Sequence, residues 1–195
     1  SLACGRKKKS MLDFGCGQGD AGIAFARKGF RVHLVDVEGF QSQCTRWRFE
    51  IRKLAFQFIR AEDFRDSADT YDVVNCQDVL EHLPNPILVL QWIYRKLNPG
   101  GLLFVYPDFH NFSTPLHLRE NVVYENVFPQ LMANIGYHYV GFVPYTLLRI
   151  PLDEAKWSPL RLNLGSLGVF IYQRADGRDA GRTFNGGKPP AELSF

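Results

Sequence analysis

Several marks of common protein classes are missing from this 195-residue sequence. No apolar run approaches the ~18–20 residues that a membrane-spanning helix needs, and no basic leader followed by an apolar stretch opens the chain. Lys and Arg number 23 against 20 Asp and Glu, and the net charge of +3 is too small to indicate a nucleic-acid surface. We therefore expect a cytoplasmic protein with neither a membrane span nor a nucleic-acid partner.

Paired cysteines are missing as well. The four cysteines form no CxxC pair and are irregularly spaced, at Cys4, Cys16, Cys44 and Cys76. A disulfide framework or a zinc site requires short, regular spacings. The spacing of Asp108, His110 and His117 also fits no tight zinc pattern. We predict free thiols in a reducing compartment and no metal site.

The composition is that of one globular domain. Apolar residues make up 46% of the chain and charged residues 22%, which is the usual balance of a folded protein, and the length suits a single domain. The last 20 or so residues are rich in Gly, Asp and Pro. We predict a polar lead-in over residues 1–9, a folded domain over residues 10–173 and a flexible tail over residues 174–195.

Apolar strand patterns alternate with helical patterns along the first half of the chain. Predicted strands cover residues 10–14, 31–35, 56–59, 71–76 and 102–106, and predicted helices cover residues 20–28, 41–54 and a segment that Asn85 caps and Pro86 begins. Two later strand-like segments, residues 137–143 and 167–173, are expected to pair antiparallel at a sheet edge. The alternation predicts an open α/β fold with a mostly parallel sheet.

A glycine-rich turn follows the first predicted strand and reads Asp13-Phe14-Gly15-Cys16-Gly17-Gln18-Gly19. Glycines here let the backbone turn sharply and turn N–H groups at a helix N-terminus toward a ligand. Asp36 closes the second strand, where a carboxylate can accept the hydroxyls of a ribose. The pattern predicts a nucleotide-like ligand.

Two such ligands compete for this turn. Gly17, Gly19 and Gly22 match the GxGxxG pattern of dinucleotide-binding oxidoreductases. Asp13 argues against that ligand, because a carboxylate just ahead of the glycines repels a pyrophosphate and attracts an α-ammonium group. A ligand with both an amino acid end and a ribose fits Asp13 and Asp36 together, and S-adenosylmethionine is such a ligand.

Four segments in register resemble the class I S-adenosylmethionine-dependent methyltransferases. They read LDFGCGQGD, HLVD, YDVVNCQDVLEHLPNP and KLNPGGLLFVYP, and they are similar to the small-molecule branch that includes the ubiquinone-pathway O-methyltransferases. The resemblance covers about residues 10–106 and continues more loosely to residue 170. It implies a Rossmann-like, doubly wound α/β fold whose mostly parallel sheet has seven strands and an antiparallel edge strand. It also implies S-adenosylmethionine as cofactor and a small-molecule acceptor.

The resemblance places the cofactor contacts on four segments. The glycine turn would bind the methionine part, and the end of the second strand would bind the ribose. The residues after the third strand would contact the adenine, and those after the fourth strand would lie under the sulfonium. The implied binding residues are Asp13, Gly15, Cys16, Gly17, Gly19, Asp36, Val37, Ala61, Glu62, Cys76 and Gln77. The side chains of Cys16 and Cys76 are expected to be small packing groups.

The sequence departs from the family pattern in two ways. Arg60 stands where the family often places an acid, so Glu62 or Asp63 is expected to supply the adenine contact. Family members usually carry helices ahead of the first strand, whereas only ten residues precede Met11. We expect either a fragment of a longer protein, with a lid or a further domain missing, or a substrate cover that comes from elsewhere.

Methyl transfer from a sulfonium is an in-line displacement in which the protein mainly supplies alignment and desolvation. A hydroxyl acceptor also gains from a general base, and histidine is the side chain that titrates near neutrality. His82 follows the fourth strand, and His110 and His117 follow the fifth, so these three are the candidates.

The predicted function is methylation of a small molecule, with oxygen as the favoured acceptor atom. Two alternatives stay open. One is a non-catalytic S-adenosylmethionine-binding domain of a larger protein, and the other is an NAD-dependent oxidoreductase.

Overall fold

The computed structural model of the protein describes residues 8–109, 115–144 and 168–175, and these build a seven-stranded sheet with helices on both faces. The strands are β1 (Ser10–Phe14), β2 (Arg31–Asp36), β3 (Gln57–Arg60), β4 (Tyr71–Gln77), β5 (Leu97–Tyr106), β6 (Tyr137–Pro144) and β7 (Gly168–Arg174). The helices are α1 (Asp20–Arg27), α2 (Phe40–Glu50), α3 (Pro86–Lys96) and α4 (Phe128–Ile135), with short 3-10 turns at Ala61–Asp63, Leu80–His82 and Arg119–Tyr124.

The strand order across the sheet is β3-β2-β1-β4-β5-β7-β6. The first five strands of that order run parallel, and β7 runs antiparallel to both β5 and β6. The predicted α/β fold, a mostly parallel seven-stranded sheet with an antiparallel strand pair at its edge, is confirmed. The chain order reverses between β1 and β4, and ligands of open α/β sheets bind beyond the strand ends at such a switch point.

The sheet separates two apolar cores because side chains alternate between its faces. Met11 packs with Val32, Leu34 and Phe49 on the side of α1 and α2. Its neighbour Leu12 belongs to the other core, which α3 and α4 cover. All five residues of β1 are buried, as expected for a central strand. The turn that follows β1 therefore starts from a strand that is packed on both faces.

Helices α1 and α3 begin and end close to the residues that the sequence indicates. The Asn85 side chain accepts a hydrogen bond from the Leu88 N–H at 3.0 Å, and Pro86 is the first residue of α3. Helix α2 ends earlier than predicted, and Lys53 just beyond it takes a positive φ of 53°. Helix α4 was not predicted, because the residue before it is Val127 and no Ser, Thr, Asp or Asn stands at the capping position.

Other expectations concern the chain as a whole. Among the described helices, none combines the length and the hydropathy of a membrane crossing. Cys16, Cys44 and Cys76 carry free thiols. Residues 1–7 and 176–195 lie outside the described residues, so the predicted lead-in and tail stay predictions.

Candidate functional site

The glycine turn after β1 requires its glycines for two separate reasons. Gly15, Gly17 and Gly19 have φ angles of 66°, 50° and 75°, in the left-handed region that side chains with a Cβ avoid. A Cβ on Gly15 would lie 2.3 Å from Cγ2 of Val79, and one on Gly19 would lie 2.6 Å from Cγ2 of Thr45. The turn thus lies against the residues after β4 on one side and against α2 on the other.

Hydrogen bonds within the protein hold this turn in place. The N–H groups of Gly15 and Cys16 both donate to the Val35 carbonyl, at 2.8 Å and 3.0 Å. From α2, the Thr45 hydroxyl donates to the Gly17 carbonyl. The backbone that would face a bound ligand is therefore preformed.

Asp36 lies beside the turn, as its place at the end of β2 predicts. Its carboxylate is half-buried and accepts the Gly17 N–H and the Val37 N–H, each at 2.8 Å. The Cys16 thiol lies 3.7 Å from the same carboxylate. Val37 itself is 67% exposed, so its side chain offers an apolar surface next to that carboxylate.

Asp13 points into the fold. Its side chain is 2% exposed, one oxygen accepts the Asn75 amide at 2.8 Å, and the other accepts the Gly22 N–H at 2.9 Å. Burial raises the pKa of Asp13 to about 6, although both hydrogen bonds oppose the rise. In this arrangement Asp13 supports the start of α1 from inside, whereas the sequence interpretation placed it against the ligand's ammonium group.

Asn75 is a site residue that the sequence interpretation missed. It interrupts the apolar strand β4, and its side-chain oxygen accepts a hydrogen bond from the Gln77 amide nitrogen. A polar residue within a buried central strand is the signal that could have singled it out, because buried polar groups need partners. Gln77 at the end of β4 is thereby connected to Asp13 below the glycine turn.

The two cysteines of the site behave as packing residues. Cys76 is fully buried in the core that α3 covers, and burial raises the pKa of its thiol. Burial and the nearby carboxylates of Asp13 and Asp36 also raise the pKa of the Cys16 thiol. Neither thiol has the lowered pKa of a nucleophile.

The residues after β3 lie at the same edge of the sheet as Asp36. Ala61 is half-buried and Glu62 is exposed in the 3-10 turn that follows the strand. Arg60 forms ion pairs with Glu62 at 3.2 Å and with Asp63 at 2.8 Å. Arg60 is thus paired with both Glu62 and Asp63, the two residues expected to supply the adenine contact in its place.

The structure brings two of the three candidate histidines together. The rings of His82 and His117 meet edge to face with centroids 4.7 Å apart. Nδ1 of His82 lies 3.0 Å from the Leu116 carbonyl oxygen. Because a carbonyl only accepts, Nδ1 is assigned the hydrogen, and in the neutral form of the ring the lone pair is then on Nε2. His110 lies outside the described residues.

Glu81 joins these histidines, and the sequence interpretation gave it no role. Its side chain is 1% exposed, and neither carboxylate oxygen has a hydrogen-bond partner among the described residues; the same holds for the buried Nδ1 of His117. Burial raises the pKa of Glu81. Ligand atoms of Glu81, His82 and His117 all lie within 4.8 Å of one another. A cluster of this kind can accept a proton or hold a cation, so the absence of a metal site stays a prediction.

Comparisons with known proteins agree with this geometry. A family model described as "Methyltransferase domain" matches residues 2–122. The ubiquinone biosynthesis O-methyltransferase of Idiomarina loihiensis is 33% identical over 174 residues, which cover 86% of this chain and 70% of that protein. The corresponding enzyme of Histophilus somni is 32% identical over 109 residues, which cover 52% of this chain and 46% of that protein.

The fold has solved counterparts. The structure of magnesium protoporphyrin IX methyltransferase from Synechocystis PCC 6803 with bound S-adenosylmethionine matches with a TM-score of 0.59 and 16% identity, over 86% of this chain and 71% of that one. At this identity the match shows the shared fold. The chain spans about half the length of several curated relatives that it matches.

Proposed function

This chain belongs to the class I S-adenosylmethionine-dependent methyltransferase family, and on that premise we propose that it methylates a small molecule at a hydroxyl oxygen. The observation that carries the proposal is the half-buried carboxylate of Asp36, held at the switch-point edge of the sheet against the N–H of Gly17. The relatives named for O-methylation in ubiquinone biosynthesis support an oxygen acceptor.

The residues present fit the cofactor. The left-handed glycines bring bare backbone to the switch point, and the Asp36 carboxylate has the acceptor atoms that ribose hydroxyls need. The exposed Val37 can pack against the adenine ring, with Ala61 and Glu62 beside it. Gly15, Gly17 and Gln77 would lie along the methionine part. When bound, S-adenosylmethionine supplies an electrophilic methyl group.

The comparisons favour a methyltransferase over the dinucleotide alternative, because the matching family model and the relatives are methyltransferases. The alternative rests on Gly17, Gly19 and Gly22. Gly22 lies inside α1, where a Cβ would be 2.7 Å from Cδ2 of Leu34 and 3.1 Å from the Phe49 ring. Gly22 thus lets α1 pack closely on the sheet, as the third glycine does in dinucleotide-binding folds too, so it does not distinguish the two ligands.

We also propose that His82 is the general base of this reaction. The Leu116 carbonyl fixes its ring and its tautomer, which leaves Nε2 to take the acceptor's hydroxyl proton as the methyl group is transferred. The buried Glu81 carboxylate in the same cluster stabilises the positive charge that forms. His117 lies against the His82 ring and is the second candidate, and His110 stays a prediction.

Calorimetry with S-adenosylhomocysteine tests the cofactor site. Asp36→Ala removes charged hydrogen bonds worth about 2–3 kcal/mol, so the affinity should fall by roughly 30- to 150-fold. Glu38→Ala is the matched control, because Glu38 is an exposed carboxylate two residues away that pairs with Arg46. Wild-type affinity in Asp36→Ala, or stabilisation of the protein by NADH in place of S-adenosylhomocysteine, would contradict the assignment.

Turnover with labelled S-adenosylmethionine and a panel of simple phenols or a cell extract tests the reaction. His82→Ala should lower kcat by about 10²- to 10⁴-fold and leave the affinity for S-adenosylhomocysteine unchanged. His138→Ala, which changes an exposed histidine on β6, is the control. Tight cofactor binding with no labelled product from any acceptor would support the non-catalytic alternative instead.

A further inference from the structure

A line of three polar side chains crosses from β4 to β1 beneath the glycine turn. The Gln77 amide nitrogen donates to Asn75, the Asn75 amide nitrogen donates to Asp13 at 2.8 Å, and Asp13 accepts the Gly22 N–H at 2.9 Å. We call these four residues the Asp13–Gln77 line. It begins at the half-buried Gln77 at the carboxyl end of β4 and ends in the first turn of α1.

The sheet register explains why these side chains meet. Asp13 and Asn75 are paired Cα partners on the parallel strands β1 and β4. Side chains two residues apart on a strand lie on the same face, so Asn75 and Gln77 share the face on which Val73 packs with Met11. That face is apolar toward the start of the strands and polar toward their carboxyl ends, where the cofactor would bind.

We propose that Asn75 is a positioning residue for cofactor binding, because it ties Gln77 to the glycine turn through Asp13. The inference rests on the proposed function, since it assumes that the cofactor lies between the turn and the end of β4. Both ends of the Asn75 amide are engaged, one by the carboxylate and one by the Gln77 amide. Asn75 therefore sets the position of Gln77 and supplies the second of the two donors that hold the buried Asp13.

An apolar residue at position 75 would have two effects. Gln77 would lose the hydrogen bond from its amide nitrogen to Asn75, and Asp13 would keep only the Gly22 N–H from this line. Asp20 on α1 and Asp36 at the end of β2 are the charged groups that act on Asp13, and both raise its pKa, as burial does. The Asn75 hydrogen bond opposes them, so its removal raises the pKa of Asp13 further.

Calorimetry with S-adenosylhomocysteine across pH 5 to 8 tests the proposal. In the wild type we expect the affinity to fall as the pH drops through about 6, where Asp13 takes up a proton. Asn75→Leu should bind about tenfold more weakly at pH 8, the loss expected for one hydrogen bond to a charged group. The midpoint of its pH profile should lie at higher pH, which a general loss of stability would not produce.

Two further variants separate the outcomes. Asn98→Leu removes a similar bond, from Asn98 to Asp72 at 2.9 Å, at the opposite end of β4, and should bind like the wild type. Gln77→Leu removes the outer link together with the cofactor contact assigned to Gln77, so it should weaken binding while its midpoint stays at the wild-type pH; this variant keeps the proposal testable if Asn75→Leu does not fold. Wild-type affinity and midpoint in Asn75→Leu, or wild-type affinity in Gln77→Leu, would overturn the role of Asn75 alone. A wild-type protein that does not bind S-adenosylhomocysteine would overturn the proposed function with it.

Discussion

Gly15→Ala places a methyl group where the Val79 side chain already lies. The backbone of Gly15 has a φ of 66°, and the new Cβ would be 2.3 Å from Cγ2 and 3.0 Å from Cγ1 of Val79. The left-handed conformation costs alanine about 1–2 kcal/mol, and overpacking costs a further ~1–3 kcal/mol. The free energy of unfolding should therefore fall by about 2–5 kcal/mol.

A double-mutant cycle separates these two costs. Val79→Ala removes both γ carbons and leaves only its Cβ, 3.3 Å from the new methyl group. In the double variant the steric cost largely disappears while the conformational cost stays. We expect the two substitutions to be non-additive, with the double variant more stable than their sum by about 1–3 kcal/mol.

Guanidinium denaturation of the four proteins measures this coupling. Gly39→Ala is the matched control, because its backbone is extended and nothing lies within 4 Å of the added Cβ; it should change stability by less than about 0.5 kcal/mol. Additive effects of the two substitutions would refute the close contact between the glycine turn and the residues after β4.

Two further predictions concern stability. Arg174→Leu should lower the free energy of unfolding by about 1–3 kcal/mol, because the Arg174 guanidinium binds the carbonyls of Tyr94, Arg95 and Leu97 at the end of α3; a loss no larger than that of the exposed Arg95→Leu would contradict it. Burial lowers the pKa of His33, so below pH ~6.5 the unfolded chain binds more protons than the folded chain does. The free energy of unfolding should therefore decrease as the pH decreases. In denaturation at pH 7 and pH 5, His33→Leu should lose less stability than the wild type, and equal losses would show that His33 does not contribute.

The other buried titratable groups are common to the wild type and His33→Leu, so their effects cancel when the pH dependence of stability is compared between the two proteins. Asp13 acts in the opposite direction: its pKa is raised to about 6, so the folded state binds more protons below that pH and gains stability as the pH falls. That contribution is present in the wild type and in His33→Leu alike. The difference between their slopes therefore reports on His33 and its neighbours Tyr71 and Asp69.

The local patterns were sufficient for the sheet and for the glycine turn. Strand, turn and helix signals follow one another within a few residues, and the left-handed glycines and the cap at Asn85 act on their immediate neighbours. Helix α4 was missed because Val127 at its start is not a capping residue type, so the capping position gives no start signal. The position of Asp36 beside the turn was also predictable, because parallel strands end at one edge of the sheet.

Contacts between distant segments were decided only by the tertiary structure. Asp13 and Asn75 are 62 residues apart in sequence, and only the register of β1 against β4 makes them neighbours and turns the Asp13 carboxylate inward. Glu81 and His117 meet because the segment after β5 folds back, where the Leu118 N–H donates to the Glu81 carbonyl at 3.0 Å. A sequence states which groups are present and how the nearby backbone bends, whereas the burial and the partner of each charge depend on packing between segments that the sequence does not place side by side.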